Sequence, residues 1–259
     1  IDALSKVPGV SQISTGPAIS KPVIRGLGYN RVVVMHDGIR QEGQQWGDEH
    51  GIEIDEYNVS RTEVLKVPAS LIYGSDALAG VINIISNVPV SEGVIKGNVF
   101  SNYQTNNRMM GNHFDLAGNK KGFIWGINYS AKNAGDYKNK YDGTVFNSRF
   151  LERNGGGYIG IEKNWGYSQL SFSNFSQNLG VVEGDRDAEG RFVMMKDVGG
   201  IAEEVIVDAA EEKWFTPRAP MQKIEHTKYT LDNNIKLGND RLKATFGLQR
   251  NQRMEFGNV

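Results

Sequence analysis

Beyond Gly93, apolar and polar positions alternate with period two along several segments. In two of them the apolar positions are Tyr229, Leu231, Ile235, Leu237, Leu242, Ala244, Phe246 and Leu248. The opposite, polar positions include Lys228, Thr230, Asp232, Lys243 and Thr245. Successive side chains of a strand point to opposite faces, so each segment predicts a strand with one apolar and one polar face. The segments reach about ten residues, which is the length that crosses a bilayer as a tilted strand.

The connections between these segments also alternate in length. Residues 118–122, 164–166 and 238–240 form short Gly- and Asn-containing turns, whereas 136–147 and 180–220 are long polar links. Short turns at one end and long loops at the other are typical of an outer-membrane β-barrel. A soluble all-β domain with amphipathic strands remains open from the pattern alone.

The number of segments indicates whether they can form a closed barrel by themselves. About seven strands are an odd number, whereas bacterial barrels have even counts and barrels with a plugged lumen have about 22 strands. An open sheet would leave unpaired backbone groups in lipid, each costing about several kcal/mol. We therefore expect the rest of the barrel beyond Val259, and further chain before Ile1, which is neither a start methionine nor part of a signal peptide.

The first ninety residues have a different pattern. Short apolar runs at 32–35 and 81–85 are separated by turn clusters such as Asp37-Gly38 and Tyr73-Gly74. An uninterrupted run like Val32 to Met35 is typical of a strand buried on both faces. The sequence therefore predicts two parts, a compact domain at 1–90 with a small mixed sheet, and barrel strands at 91–259.

Composition excludes several classes. The chain of 259 residues has 39% hydrophobic residues, a net charge of -1 and no cysteine. Its longest apolar stretch, 78–85, is far shorter than the ~18 residues of a spanning helix. Nothing indicates nucleic acid, which favours a basic stripe, and no disulfide or thiolate site is available.

Four stretches of the first part carry a family resemblance. They are 4–10, ending Val-Pro-Gly-Val; 22–28, Pro-Val-Ile-Arg-Gly-Leu-Gly; 31–39, ending His-Asp-Gly-Ile; and 61–85, which includes Tyr-Gly-Ser-Asp-Ala-Leu-Ala-Gly-Val-Ile-Asn. In order and spacing, this set resembles the plug domain of TonB-dependent outer-membrane receptors. The positions that match its signature, and with it a lock between plug and barrel, are Arg25, Gly26, Asp37, Gly38, Arg61, Glu63, Tyr73 and Gly74.

The resemblance implies a fold and a function. The fold is a membrane β-barrel with an α+β plug, located in the outer membrane of a Gram-negative bacterium. The expected partners are periplasmic TonB, outer-membrane lipid and an extracellular small-molecule ligand, with no resident cofactor. The expected activity is TonB-dependent uptake of an iron chelate, haem, cobalamin or a metal ion.

Three charged residues of the plug need partners. Arg25, Arg61 and Glu63 lie beside apolar strand residues and would be poorly solvated alone. Two interpretations stay open: a salt bridge inside the plug, or a lock between plug and wall that must release during transport.

The segment 40–57 is polar, rich in glycine and long enough to suggest a use. The resemblance places loops after the Asp37-Gly38 turn near the extracellular mouth. The candidate ligand-binding residues are Gln44, Gln45, Trp46, Asp48 and His50, with Trp46 stacking on a planar ligand. Asp48, Glu49 and His50 form a possible metal contact. The alternative is a solvated loop whose tryptophan packs on the wall.

Two other functions are alternatives to uptake. A surface receptor or signal transducer that captures a ligand without importing it remains open. An outer-membrane hydrolase is disfavoured, since the sequence contains neither Gly-x-Ser-x-Gly nor His-Glu-x-x-His. We therefore predict that the chain is not an enzyme.

Overall fold

A computed structural model describes residues 4–66, 69–86, 90–182, 184–207 and 215–257 of the chain. The first part contains six short strands, β1 (Val10–Gly16), β2 (Ile19–Ile24), β3 (Val32–His36), β4 (Ile39–Gln41), β5 (Arg61–Lys66) and β6 (Gly80–Ile85). The helical turns described between them are all 3-10, at Leu4–Lys6, Tyr29–Arg31, Glu56–Asn58, Ala69–Tyr73 and Ser75–Ala77. Segments of three to five residues are too short for an α-helix to propagate.

The plug is built on a small mixed sheet, as predicted. Its strand order is β4-β3-β6-β5, with β3 parallel to β6 and the other pairs antiparallel, and β1 and β2 form a separate hairpin. Val32, Val33 and Val34 are at most 3% exposed, so β3 is buried on both faces. One face packs with Ile24 and Ile82, and the other packs with Ala77 and Val81.

Two tight turns shape this part. Asp37 and Gly38 have φ of 51° and 80° and join β3 to β4, and Arg25 and Gly26 have φ of 50° and 81° after β2. Two-residue turns with positive φ at both positions favour Asp-Gly pairs because glycine has no Cβ to clash. The predicted reversal at Asp37-Gly38 is confirmed.

The second part is dominated by long antiparallel strands. In chain order its strands are β7 (Ile95–Gln104), β8 (Met109–Lys120), β9 (Phe123–Ala134), β10 (Lys138–Asn139), β11 (Gly143–Thr144), β12 (Phe150–Lys163), β13 (Gly166–Gly180), β14 (Val193–Val198), β15 (Ile201–Ile206), β16 (Met221–Leu237) and β17 (Asp240–Phe256). Seven of them form one sheet, which we call the wall, in the order β17-β16-β13-β12-β9-β8-β7. Within the described residues β7 and β17 are its edges. The other four form two small hairpins in the long links.

The wall has two different ends. Tight turns follow β8, β12 and β16 at one end, whereas the links 135–149 and 181–220 lie at the other, which we call the long-loop end. The alternation predicted from the connections is therefore present. Among the described residues, no helix is long and apolar enough to cross a bilayer.

The two faces of the wall carry the predicted residues. On β16, Lys228 and Thr230 are each 4% exposed beneath the plug, while Tyr229 and Leu231 point away from it and are 48% and 40% exposed. Leu231 pairs with Phe246 of β17, which is also exposed on the outer face. In this part of the wall the outer face is thus apolar and the inner face polar.

Candidate functional site

Strand β4 runs along β17 toward the long-loop end. A Cβ at Gly247 would lie 2.6 Å from Ile39 Cδ1, so glycine lets the plug approach the wall here. Farther along, Gln249 donates to the carbonyl of Arg40 at 2.9 Å, and His50 Nε2 lies 2.9 Å from Glu255 Oε1. Since β17 leads from a tight turn to the long-loop end, the segment 42–51 after β4 is at that end. We call this segment the apex loop.

The apex loop exposes its tryptophan. Trp46 is 73% exposed, and the tyrosine hydroxyl of Tyr29 donates to Asp48 Oδ1 beneath it. Gln45 Oε1 accepts from the amide of Gly43 at 2.9 Å. The loop is therefore held by its own polar contacts, and the Trp46 ring faces the solvent rather than the wall.

Two expectations for this loop require correction. Gln44 is 5% exposed and its amide donates to the carbonyls of Tyr29 and Val32, both at 3.2 Å, so it stabilises the plug and does not face a ligand. His50 is a candidate ligand-binding residue, yet its side chain is only 18% exposed because its ring contacts Glu255 and the carbonyl of Gly43.

The metal hypothesis has no geometric support. Asp48 is engaged by Tyr29 and His50 by Glu255, so Asp48, Glu49 and His50 do not converge on one point. Across the part of the chain that the structure describes, no three His, Asp or Glu side chains are grouped to hold a metal ion.

The charged plug residues Arg25, Arg61 and Glu63 were expected either to pair inside the plug or to lock the plug to the wall. Arg61 pairs with Glu63 at 3.0 Å within β5, and Asn83 donates to the same carboxylate at 3.0 Å. The side chain of Arg25 is exposed at its turn. In the residues that the structure describes, none of these three charged side chains has a hydrogen bond or ion pair to the wall, which favours the interpretation of a bridge inside the plug for Arg61 and Glu63.

Glu53 is the most buried charge that joins plug and wall. Its carboxylate is 2.9 Å from His226 Nδ1, accepts from Arg253 Nη2 at 3.0 Å and accepts from Asn251 Nδ2. The Glu53 side chain is 4% exposed. A buried charge is stable only when it is paired and hydrogen-bonded, which these three wall residues achieve. The sequence signal was a lone acid between Ile52 and Ile54, which we did not single out.

A second contact set lies three residues later. Lys132 of β9 is within 3.0 Å of both Glu56 and Glu152. Asp55 accepts from the backbone N–H of Tyr57 at 3.1 Å, capping the turn Glu56–Asn58, and from Ser130 at 2.5 Å. The segment 53–57 is therefore attached to both sides of the wall, to β16–β17 and to β9.

Among the predicted signature residues, Asp37 meets the wall. Lys228 donates to the carbonyl of His36 at 2.9 Å and lies 3.9 Å from Asp37 Oδ2. Asp37 also accepts from the amide of Ser86 at 2.9 Å. Burial, together with the charge of Lys228, lowers the pKa of His36 to about 4, so this imidazole is neutral at pH 7.

The other signature residues have structural roles. Arg25 and Gly26 form a turn in which the backbones of Ile24 and Leu27 exchange hydrogen bonds of 2.8 and 2.9 Å. Gly74 adopts φ of 99°, and Tyr73 packs against the cluster of Val33, Ala77 and Val81. These positions preserve the shape of the plug.

A cavity of about 600 Å³ lies between the plug and the wall near the long-loop end. Its plug side includes Ser20, Ile52 and Glu56, and its wall side includes Lys132 and Phe150. The volume is in the range of small-molecule sites.

Comparison with known proteins identifies the first part. Residues 1–81 match the family described as TonB-dependent Receptor Plug Domain. The chain is 40% identical over 92 residues to the iron-regulated outer membrane virulence protein of Vibrio cholerae, a match covering 33% of this chain and 14% of that protein. It is 36% identical over 88 residues to the vitamin B12 transporter BtuB of Vibrio vulnificus, covering 33% and 14%.

The whole described fold has counterparts among solved structures. The siderophore receptor PirA from Acinetobacter baumannii superposes with a TM-score of 0.70 at 18% identity, covering 100% of this chain and 40% of that chain. The chain thus spans two fifths of the solved receptor's length, and its match to each of the two Vibrio relatives covers 14% of that relative. By homology, the chain is located in the outer membrane of Gram-negative bacteria, and the plug-domain family that residues 1–81 match is not an enzyme family.

Proposed function

Because the chain is the plug domain and part of the barrel of a TonB-dependent receptor, we propose that this receptor imports a scarce nutrient across the outer membrane. The cargo class is an iron chelate, haem, cobalamin or a metal ion. Periplasmic TonB supplies the work that rearranges the plug, and outer-membrane lipid surrounds the apolar face of the wall.

One observation carries this proposal: the plug blocks the inner face of the wall through contacts that are largely polar. Glu53, Asp37 and Glu56 meet His226, Lys228 and Lys132. Water can replace the partners in polar contacts once they separate, whereas an apolar interface would expose hydrophobic surface. A plug attached in this way supports a role as a removable barrier.

We place the ligand above the apex loop. Trp46 offers an exposed aromatic face, and Gln45 and Asp48 lie beside it. An aromatic ring with neighbouring polar groups suits a planar or amphipathic chelate.

A growth test addresses the proposal. A strain lacking the receptor is grown under limitation of iron, haem, cobalamin or copper, each with and without the intact receptor restored. We expect restored growth for one nutrient, lost again when TonB is deleted. Binding of that nutrient without TonB-dependent accumulation inside the cell would instead indicate a capturing receptor or a signal transducer.

A further inference from the structure

Two cavities lie one above the other between the plug and the wall, and strands β7, β8 and β9 line both of them. The upper cavity, of about 600 Å³, is the one at the long-loop end. The lower cavity, of about 470 Å³, is lined by Ser60 and Ser86 of the plug and by Asn98 and His113 of the wall. Val59 lines both, so the turn Glu56–Asn58 that precedes it separates them.

Different residues on the inner face of β7 line the two cavities. Gln104 lines the upper cavity and Asn98 the lower one. Between them, Asn102 Oδ1 accepts from the Tyr57 hydroxyl at 2.7 Å, and Phe100 packs edge-on against the Tyr57 ring with centroids 5.2 Å apart. The six residues from Asn98 to Gln104 span roughly 20 Å of strand. Tyr57 contacts β7 within this distance and therefore closes a short constriction between the two cavities.

At this constriction the wall residues Lys132, Glu152 and Ser130 keep partners within the wall when the plug turn leaves. When Glu56 leaves, Lys132 keeps Glu152 at 3.0 Å. Glu152 in turn accepts from Asn154 at 2.7 Å and Gln177 at 2.9 Å. Ser130, which donates to Asp55, keeps its 2.7 Å contact with His113.

Breaking the ion pair between Glu56 and Lys132 also costs the plug little free energy. The Glu56 side chain is 63% exposed, so its carboxylate is hydrated with or without Lys132. Exposed ion pairs contribute little to stability. Glu53 differs because its 4% exposed carboxylate has three wall partners on the opposite side.

We propose that the turn Glu56–Asn58 is a gate between the two cavities, released from β7–β9 while Glu53 stays bound to β16–β17 as the hinge. The transported ligand then passes along the inner face of β7, β8 and β9. The lining of the lower cavity includes the amides of Asn98 and Asn128 and the hydroxyls of Ser60 and Ser86, which suit a hydrated polar cargo. This inference rests on the proposed function, since a route matters only if the receptor imports.

Cysteine labelling in the intact receptor tests the gate without knowledge of the ligand. The chain has no cysteine, so Asn98→Cys reports on the lower cavity and Gln104→Cys on the upper one. Each is placed in the unaltered receptor and in the Glu56→Gln/Tyr57→Phe variant. Cells lacking general porins are treated from outside with a charged, membrane-impermeant maleimide dye. Arg61→Gln, which removes an exposed ion pair inside the plug, serves as the matched control.

We expect Gln104→Cys to react at the same rate in every background, which also verifies that the barrel assembles. Asn98→Cys should react about tenfold faster in the gate variant than in the unaltered or Arg61→Gln receptor, because the variant loses one hydrogen bond and one ion pair whose carboxylate is exposed. Equal rates for Asn98→Cys in all three backgrounds overturn the gate. Faster labelling in a receptor that fails every growth test overturns the proposed function and leaves the gate standing.

Discussion

The plug and the wall differ in where they place their apolar side chains. In the plug, β3 and β6 are apolar on both faces, and Val32, Val34 and Ile82 pack together in the core. In the wall, the strands are mainly apolar outside, and inside they combine an apolar patch at the long-loop end with polar groups such as His226 and Lys228. The plug is therefore stable by its own apolar core, and its attachment to the wall depends mainly on charges and hydrogen bonds. Cohesion and attachment can be changed separately by mutation.

The contacts that attach the plug to the wall differ in burial. Glu53 is buried among its wall partners, whereas Glu56 is exposed. An apolar contact adds to it at the long-loop end, where Ile19 packs against Phe150 and Phe175 of the wall. The predictions below test this contrast between plug and wall, from the largest expected effect to the smallest.

Removing the buried charge should have the largest effect. Glu53→Ala leaves His226 and Arg253 without their carboxylate in a buried setting, and we expect a loss of about 3–5 kcal/mol in plug attachment. Protease sensitivity of the plug as a function of urea measures it. Glu56→Gln is the control and should cost about 1 kcal/mol or less. Similar losses for both would remove the distinction between hinge and gate.

The outer face of the wall should reject charge. Leu231→Arg places a cation on the lipid side and should cost about 2–4 kcal/mol near the bilayer midplane. Heat-modifiable migration of the assembled barrel reports the effect. Asn234→Arg is the control, because Asn234 lies on the inner face of the same strand and is half-buried, whereas an arginine at the 4% exposed Thr230 would clash with the plug. Equal assembly of the Leu231 and Asn234 variants would contradict the assignment of faces.

Acid should loosen the plug through His36. Its pKa is lowered from 6.5 to about 4, with burial as the main cause. As the pH falls from 6.5 toward 4, the unfolded plug binds a proton that the folded plug excludes. Stability present above pH 6.5 is thus lost within this window, by about 2 kcal/mol at pH 5. Urea-dependent proteolysis at pH 7.5 and pH 5 measures the difference, and His36→Gln should reduce it; an unchanged difference would exclude His36 as its source.

Binding should depend on the exposed ring of the apex loop. Trp46→Ala should weaken binding of a planar ligand by about 1 kcal/mol through lost stacking. Titration of the nutrient found by the growth test measures this. His50→Ala is the comparison, with a smaller expected effect because the ring is already engaged by Glu255. A larger effect at His50 than at Trp46 would shift the site toward a metal ion.

The smallest effect is expected within the plug itself. Arg61→Gln breaks the ion pair with Glu63, in which the arginine side chain is 66% exposed. A change of less than about 1 kcal/mol in urea-dependent proteolysis is expected. A loss matching that of Glu53→Ala would restore Arg61 as part of the lock.

Much of the architecture follows from local pattern. The alternation around Leu231 and Phe246 set the apolar face, and the Asp37-Gly38 pair set the reversal between β3 and β4. The apex loop lies at the long-loop end of the wall, which agrees with its place after that turn. The roles of individual side chains in it were less predictable. Gln44 turned inward because two backbone carbonyls needed a donor.

The sequence by itself determined which faces are apolar, where the chain reverses and which part is plug, because strand periodicity and turn geometry depend on near neighbours. Only the tertiary structure decided which charges meet. Glu53 and His226 are 173 positions apart, and Glu56 and Lys132 are also brought together from different parts of the chain. Their pairing depends on how the wall curves around the plug, and no local pattern carries that information.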